Sequence, residues 1–183
     1  MTRFLRLASN INVAPLALDL HQASHLWDQN STRRTFEGTP HAAMTDIWVR
    51  FRPAEELHSI ADHRTEHRNV YWPAWRSLPS LRPLVGMLKA MTDCVELGSI
   101  LITRLPPGGT ILPHTDQGAW APEFYNCKVH LTVSGQSLST CDGETVRMLP
   151  GEAWTFDNLL VHSVENPGDV DRVVVIVSMR VEV

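Results

Sequence analysis

From Val95 onward the chain is a succession of short apolar runs separated by turn residues, and no other feature restricts its fold as much. The runs fall at 97–105, 111–113, 124–134, 144–149, 153–156, 160–165 and 172–183. Between them stand Pro106-Pro107-Gly108-Gly109, Cys141-Asp142-Gly143-Glu144, Pro150-Gly151-Glu152 and Asn166-Pro167-Gly168-Asp169. Gly, Pro, Asn and Asp supply the backbone angles of tight turns, and runs this short suit strands better than helices. The pattern predicts an antiparallel double-sheet barrel of the jelly-roll or cupin-like class.

The first half has a different texture. Residues 1–12 are expected to form an edge strand or an arm. Ala14 to Trp27 carries apolar residues at 16, 18, 20, 23, 26 and 27, an imperfect amphipathic helix. Gln29 to Ala43 is rich in Asn, Ser, Thr, Gly and Pro and reads as a long loop, a candidate substrate wall. Asp46 to Phe51 alternates like a strand that ends at Pro53. Residues 54–75 are expected to be irregular or briefly helical. Pro79 to Leu97 has apolar residues at 81, 84, 85, 88, 91 and 95, near the helical period, with Pro83 at a tolerated early position. Helices placed before the strands would cover one sheet face.

At 183 residues the chain is long enough for one domain with a sizeable core. Its formal charge of −4 offers no basic footprint for nucleic acid, so no nucleic-acid partner is expected. No apolar run approaches the roughly 20 residues that span a bilayer, and none is expected to. Met1-Thr2-Arg3-Phe4-Leu5 does not open a secretory signal, so none is expected. Cys94, Cys127 and Cys141 are odd in number without a CxxC, which favours a reducing, cytoplasmic setting.

Chemistry enters with His114-Thr115-Asp116, His162 and Arg172. On an extended segment, residues two apart point to the same face, so His114 and Asp116 can reach one ion together. His162 follows after a return through several strands. Two imidazoles and one carboxylate make the facial triad that holds non-haem Fe(II) and leaves positions open. The same set can bind zinc and activate water, although the HExxH helix of zinc proteases is absent. Arg172, ten residues past His162, offers a planar fork that matches a carboxylate. A carboxylate clamp beside an oxygen-rich triad favours Fe(II).

From about Leu97 to Val183 the chain resembles the aspartyl/asparaginyl β-hydroxylase family of Fe(II)/2-oxoglutarate dioxygenases. The stretches that carry the likeness are Leu105-Pro106-Pro107-Gly108-Gly109-Thr110, Pro113-His114-Thr115-Asp116, Asn126-Cys127-Lys128-Val129-His130-Leu131, Pro150-Gly151-Glu152-Ala153-Trp154, Asp157-Asn158, His162-Ser163-Val164 and Arg172. The resemblance implies a double-stranded β-helix with iron on His114, Asp116 and His162, the catalytic centre. It implies that Arg172 and Thr103 hold the distal carboxylate of 2-oxoglutarate and that Lys128 and His130 point toward its keto-acid end. Family members commonly carry Arg where Lys128 stands. The implied reaction consumes O₂ and 2-oxoglutarate, hydroxylates an unactivated C–H of an amino acid or peptidyl side chain, and yields succinate and CO₂. Residues 1–96 would be N-terminal helical and substrate-side elements and 97–183 the β-helix core of a single oxygenase domain. The alternatives are a non-catalytic cupin-like metal-binding module and a zinc-dependent hydrolase on the same barrel.

Further candidates come from the residues themselves. Trp48, Arg50, Trp72, Trp75 and Trp120 are candidate pocket aromatics and charges, and Trp120, Tyr125, Trp154 and Phe156 candidate shields of the metal. Arg33, Arg34, Arg50, Arg52 and Arg76 are candidates for reading a substrate carboxylate. His58, His63 and His67, interleaved with Asp62 and Glu66, read as a solvated helix face rather than a second metal site.

Overall fold

The valine-rich run near the C-terminus forms the middle of the structure. In a computed structural model that describes residues 3–117 and 120–182, the elements follow in order. They begin with β1 (Phe4–Ala8), α1 (Ala14–Gln22), α2 (Thr32–Thr35), β2 (Thr45–Phe51), β3 (Val70–Tyr71), α3 (Ala74–Ser77) and α4 (Leu81–Met91). They continue with β4 (Cys94–Leu105), β5 (Thr110–His114), α5 (Trp120–Phe124), β6 (Cys127–Ser134) and β7 (Ser137–Cys141). The chain closes with β8 (Glu144–Met148), β9 (Ala153–Phe156), β10 (His162–Glu165) and β11 (Arg172–Val181). Short 3₁₀ turns at Ser24–Leu26, Ala54–Glu56 and Ile60–His63 join some of them.

The strands form two antiparallel sheets. One has seven strands in the order β1-β9-β6-β11-β4-β2-β3, the other four in the order β5-β10-β7-β8. Strands β4 to β11 pass between the sheets in the double-stranded β-helix order. β1, β2 and β3 extend the larger sheet at its two edges. No helix among the described residues is long and apolar enough to cross a membrane.

Side-chain parity gives the larger sheet two unlike faces. Val173, Val175 and Val177 of β11, Val129, Leu131 and Val133 of β6, Ile100 and Ile102 of β4, and Ile47 and Val49 of β2 point outward. They pack beneath Leu16 and Leu20 of α1 and Leu81, Leu84, Val85 and Leu88 of α4. The intervening residues Ile176 and Ser178, Lys128 and His130, and Ser99, Leu101 and Thr103 face a cavity between the sheets. The helices therefore cover one face, as the sequence pattern implies.

The structure differs from the sequence expectation in several places. The helix expected over 14–27 ends at Gln22, and the loop over 29–43 contains α2. Residues 1–96, expected to be helical and substrate-side elements, also supply β1, β2 and β3, because these pair with the edges of the larger sheet. The helix read over 79–97 stops at Met91, where Thr92 Oγ donates to the Leu88 carbonyl at 3.0 Å. Asp93 then turns left-handed at φ 50°, and Val95, which matched the helical period, lies in β4 with Leu97. β7, Ser-Leu-Ser-Thr-Cys, is a strand the apolar pattern passes over, because its buried face consists of Ser137, Ser139 and Cys141. Asp142 and Gly143, at φ 46° and 82°, close β7 onto β8 in the two-residue hairpin turn that favours an Asp-Gly pair. Finally, Phe124 lies in α5 and residues 160–161 precede β10, so these runs begin later as strands than their apolarity implies.

Leu88 is fully buried between α4 and the sheet. Leu88→Ala should lower unfolding stability by about 2–5 kcal/mol through lost burial and the cavity left behind. Urea unfolding monitored by circular dichroism measures this, and a loss below about 1 kcal/mol would contradict the packing described.

Candidate active site

β5 and β10 bring the two triad histidines together, since His114 and His162 are cross-strand partners. Their ring centroids lie 4.2 Å apart. Asp116 follows two residues beyond His114, and its backbone N–H donates to the Asn158 carbonyl at 3.1 Å. One ligand atom from each of His114, Asp116 and His162 lies within 4.8 Å of the others. No other such cluster of three occurs among the described residues.

Hydrogen bonds orient each member of the cluster. His114 Nδ1 lies 2.8 Å from the Leu112 carbonyl and His162 Nδ1 2.8 Å from the Leu160 carbonyl. A carbonyl only accepts, so each Nδ1 carries the hydrogen and each Nε2 keeps a free lone pair. That is the tautomer a metal requires, fixed by an outer partner. Asn158 Nδ2 donates to Asp116 Oδ2 at 2.8 Å, and the Lys128 ammonium donates to the same oxygen. Asp116 Oδ1 faces His114 Nε2 at 3.9 Å. Burial alone would raise the Asp116 pKa, but the Lys128 charge and hydrogen bond, helped by His162 and Asn158, hold it well below the usual carboxylate range. Burial, with His162 adding to it, lowers His114 to about 4. Burial lowers His162 as well.

Deeper in the same cavity lies Arg172, the largest fully buried side chain of the chain, at 1% exposure. Its Nε and Nη1 have no hydrogen-bond partner, and neither do the buried Thr103 Oγ and His130 Nε2 that line the cavity with it. Burial, with the charge of Arg33 adding to it, lowers the Arg172 pKa to about 10, so the guanidinium stays charged at neutral pH. A buried cation without an anion is strongly unfavourable. A carboxylate that accepts from the guanidinium removes that penalty, with Nη2 completing a fork to either free nitrogen. The donor set therefore fits an anionic co-substrate as well as a metal.

The cavity measures about 190 Å³ and lies between the two sheets. Phe156 forms part of its floor, with its ring 4.9 Å from His130 and 5.3 Å from His162. The long loop expected as a wall brings Arg33 and His41 to the lining, and Trp48, Phe51 and His63 complete that side. His41 meets the His114 ring edge-on at 4.8 Å. Nothing in the sequence marks His41, and Asn158 is visible only within the Asp157-Asn158 motif.

Several sequence candidates lie elsewhere. Lys128 lines the cavity, but its ammonium turns to Asp116. Of the five aromatic and arginine pocket candidates only Trp48 reaches the lining. Trp72 packs behind it with centroids 6.1 Å apart, Trp75 stacks on Tyr71, Trp120 stacks on Phe124, and Arg50 Nη1 donates to the Gly98 carbonyl. Of the four expected shields only Phe156 faces the cavity. Tyr125 hydrogen-bonds with Asn69 and Glu96, and Trp154 donates to Glu152 Oε2. His63 and His67 are not on a solvated helix face. His63 packs against Trp48 and Phe51, and His67 against Phe51 and Trp120. The rings of the wall attract them, which the interleaved acids conceal in the sequence.

With this geometry in place, comparison with known proteins places the chain. The family model of aspartyl/asparaginyl beta-hydroxylase matches residues 54–181. The chain belongs to that family, a family of hydroxylases. No curated protein matches it at a significant level. A solved oxidoreductase of the 2OG-Fe(II) oxygenase family from Burkholderia pseudomallei is similar over 74% of this chain and 65% of its own, with a TM-score of 0.52 and 12% identity. This chain thus spans about two thirds of that protein, and at such low identity the likeness concerns the fold. A predicted oxalate decarboxylase from Thermotoga maritima aligns over 50% of this chain and 72% of its own, at 21% identity and a TM-score of 0.37. A cupin superfamily protein from Desulfitobacterium hafniense aligns over 45% and 66%, at 11% identity and a TM-score of 0.36.

The buried histidines make stability depend on pH. Burial lowers His63 to about 4 and lowers His41, His114, His130 and His162 below their ordinary value. A histidine with a depressed folded pKa stabilises the fold above the unfolded value near 6.5, and this is lost as pH falls toward the folded value. Unfolding stability should therefore decline from pH 6.5 toward 4. His63→Phe, which keeps the contact with Trp48, should make that decline shallower. Denaturant unfolding at pH 7, 6 and 5 measures it, and identical slopes in the two proteins would refute the assignment.

Proposed function

We propose that the chain is an Fe(II)/2-oxoglutarate-dependent dioxygenase that hydroxylates an unactivated C–H of an amino acid or peptidyl side chain, with succinate and CO₂ as co-products. The observation that carries this reading is the buried, unpartnered Arg172 guanidinium in one cavity with the His114, Asp116 and His162 cluster. A zinc hydrolase has no use for a carboxylate clamp at that place, and a metal-binding module has no use for either clamp or open coordination. The three unpaired cysteines, Cys94, Cys127 and Cys141, fit a reducing compartment such as the cytoplasm.

In this reading His114 Nε2, Asp116 and His162 Nε2 would hold the iron. Iron with 2-oxoglutarate and O₂ supplies the oxidising chemistry. The chain supplies placement. The Leu112 and Leu160 carbonyls keep both imidazoles in the ligating tautomer, and Asn158 and Lys128 aim the Asp116 carboxylate. Arg172 and Thr103 would receive the distal carboxylate of 2-oxoglutarate, and His130 Nε2 would face the same molecule. Phe156, Val164 and Ile176 line the cavity with apolar surface and limit water around the reacting groups.

Anaerobic addition of Fe(II) and then 2-oxoglutarate tests the reading. A weak visible charge-transfer band that requires both is the expected result, and tightly held zinc with no response to 2-oxoglutarate would overturn it. Arg172→Ala should retain iron and weaken 2-oxoglutarate binding about thirtyfold or more, the penalty for losing one partner of a buried charge pair. Asn158→Ala should weaken iron about 10–100-fold, as loss of an outer-shell partner does. His162→Ala should weaken it further still. Iron affinity equal to wild type in His162→Ala would remove that residue from the ligand set.

A further inference from the structure

The family match begins at residue 54, yet one wall of the cavity comes from residues before it. Arg33 is the only one of the five candidate arginines on that wall. Arg34, its neighbour, is paired with Asp28 through two nitrogens. Arg52 donates to Thr65 and Glu66 and pairs with Glu56. Arg76 is exposed and away from the cavity.

Arg33 is held but not consumed by its partner. Asp46, 4% exposed, lies behind it on β2 opposite Thr103. Both Asp46 oxygens sit 3.3 Å from a single nitrogen, Arg33 Nη1. That is longer than the roughly 2.7–2.9 Å of a close charge-assisted pair, and it is not the two-nitrogen fork such pairs use. The Arg33 Nη2 and Nε atoms make no other hydrogen bond among the described residues. The Thr39 hydroxyl donates to the Arg33 carbonyl at 2.8 Å and steadies the backbone of the turn.

The charges of the cavity point the same way. Arg33, Lys128 and Arg172 bring three positive charges to the lining, where Asp116 is the one carboxylate among the described residues, and Asp46 adds a second negative charge from behind Arg33. A divalent metal and a dianionic co-substrate cancel each other, so one positive charge remains uncompensated. The Arg33 charge is felt within the cavity, where it adds to the effect of burial in lowering His41, His63 and Arg172.

We propose that Arg33, presented by Asp46, receives a carboxylate of the substrate at the cavity wall and selects substrates that bear one. This rests on the hydroxylase reading of the same cavity. Arg172 serves the co-substrate from the deep end and Arg33 serves the substrate from the wall formed by residues 29–51. Arg33 is thus a binding residue outside the family-matched segment.

Side-chain Nε–Hε NMR signals of the intact protein, assigned by through-bond correlation, test this with zinc as the diamagnetic metal. 2-Oxoglutarate is added first and should move the Arg172 signal while leaving that of Arg33 in place. Acetate, the minimal carboxylate, should then shift the Arg33 signal saturably at about 10–50 mM, a weak single-contact affinity. Acetamide should leave it unmoved. The proposal is overturned if the Arg33 signal follows 2-oxoglutarate as Arg172 does, since Arg33 would then be part of the co-substrate clamp. It is also overturned if acetate up to about 100 mM has no effect or acetamide acts equally. An Arg172 signal indifferent to 2-oxoglutarate removes the underlying hydroxylase reading, and the Arg33 proposal with it.

Discussion

The two-faced larger sheet is the constraint from which the rest follows. Along β11, β6, β4 and β2 one parity is aliphatic and lies under α1 and α4. The other parity carries Ser178, Lys128, His130, Thr103 and Trp48 into the cavity. Because side chains alternate with a period of two, a register slip of one residue would move the valines of β11 into the cavity and Ser178 under the helices. The apolar burial that stabilises the fold therefore also fixes which side chains face the site. Arg172 owes its position at the start of β11, beside Leu105 of β4, to the same pairing.

That arrangement separates stability from chemistry. The helix-covered face supplies the main core, worth about 2 kcal/mol for each fully buried aliphatic side chain. The inner face does the opposite, because it buries a guanidinium, a histidine and hydroxyls without protein partners. Such groups weaken a fold until a ligand meets them. The smaller sheet shows the same economy on a lesser scale, for Ser137 and Ser139 lie buried against each other and Met148 rather than against aliphatic residues.

The sequence made the strands of the core legible where the buried face is aliphatic, and the turns where Gly, Asn and Asp set the angles. β7 escaped because its buried side is Ser137, Ser139 and Cys141, so apolarity does not report its burial. The grouping of His114, Asp116, His162 and Arg172 in one cavity was legible because they occur in order within short motifs of the C-terminal half. The loop of residues 29–43 was legible as a candidate wall and Arg33 as a candidate there, but His41 was not, because the fold-back of that loop onto the cavity is a long-range contact that no local period encodes. His63 and His67 were misplaced for the same reason, since their partners Trp48, Phe51 and Trp120 are distant in sequence.

The division between deep and outer parts of the cavity carries a consequence for specificity. The deep part is built from β4, β6, β10 and β11, where backbone pairing on both sides leaves little freedom to move a side chain. The outer part is built from residues 29–44 and 54–69, where short helical turns and single contacts such as the backbone Trp120 N–H to the Arg64 carbonyl at 3.1 Å hold the chain, beside Trp48 and Phe51 of β2. Loops on a rigid scaffold can change sequence without disturbing the sheet beneath them. Arg172 is thereby held by the sheet, and Arg33 by a loop whose sequence is freer to vary. Asp46 links the two, for it stands on β2 opposite Thr103 and holds Arg33 from behind, so the position of the variable wall is set by the fixed sheet.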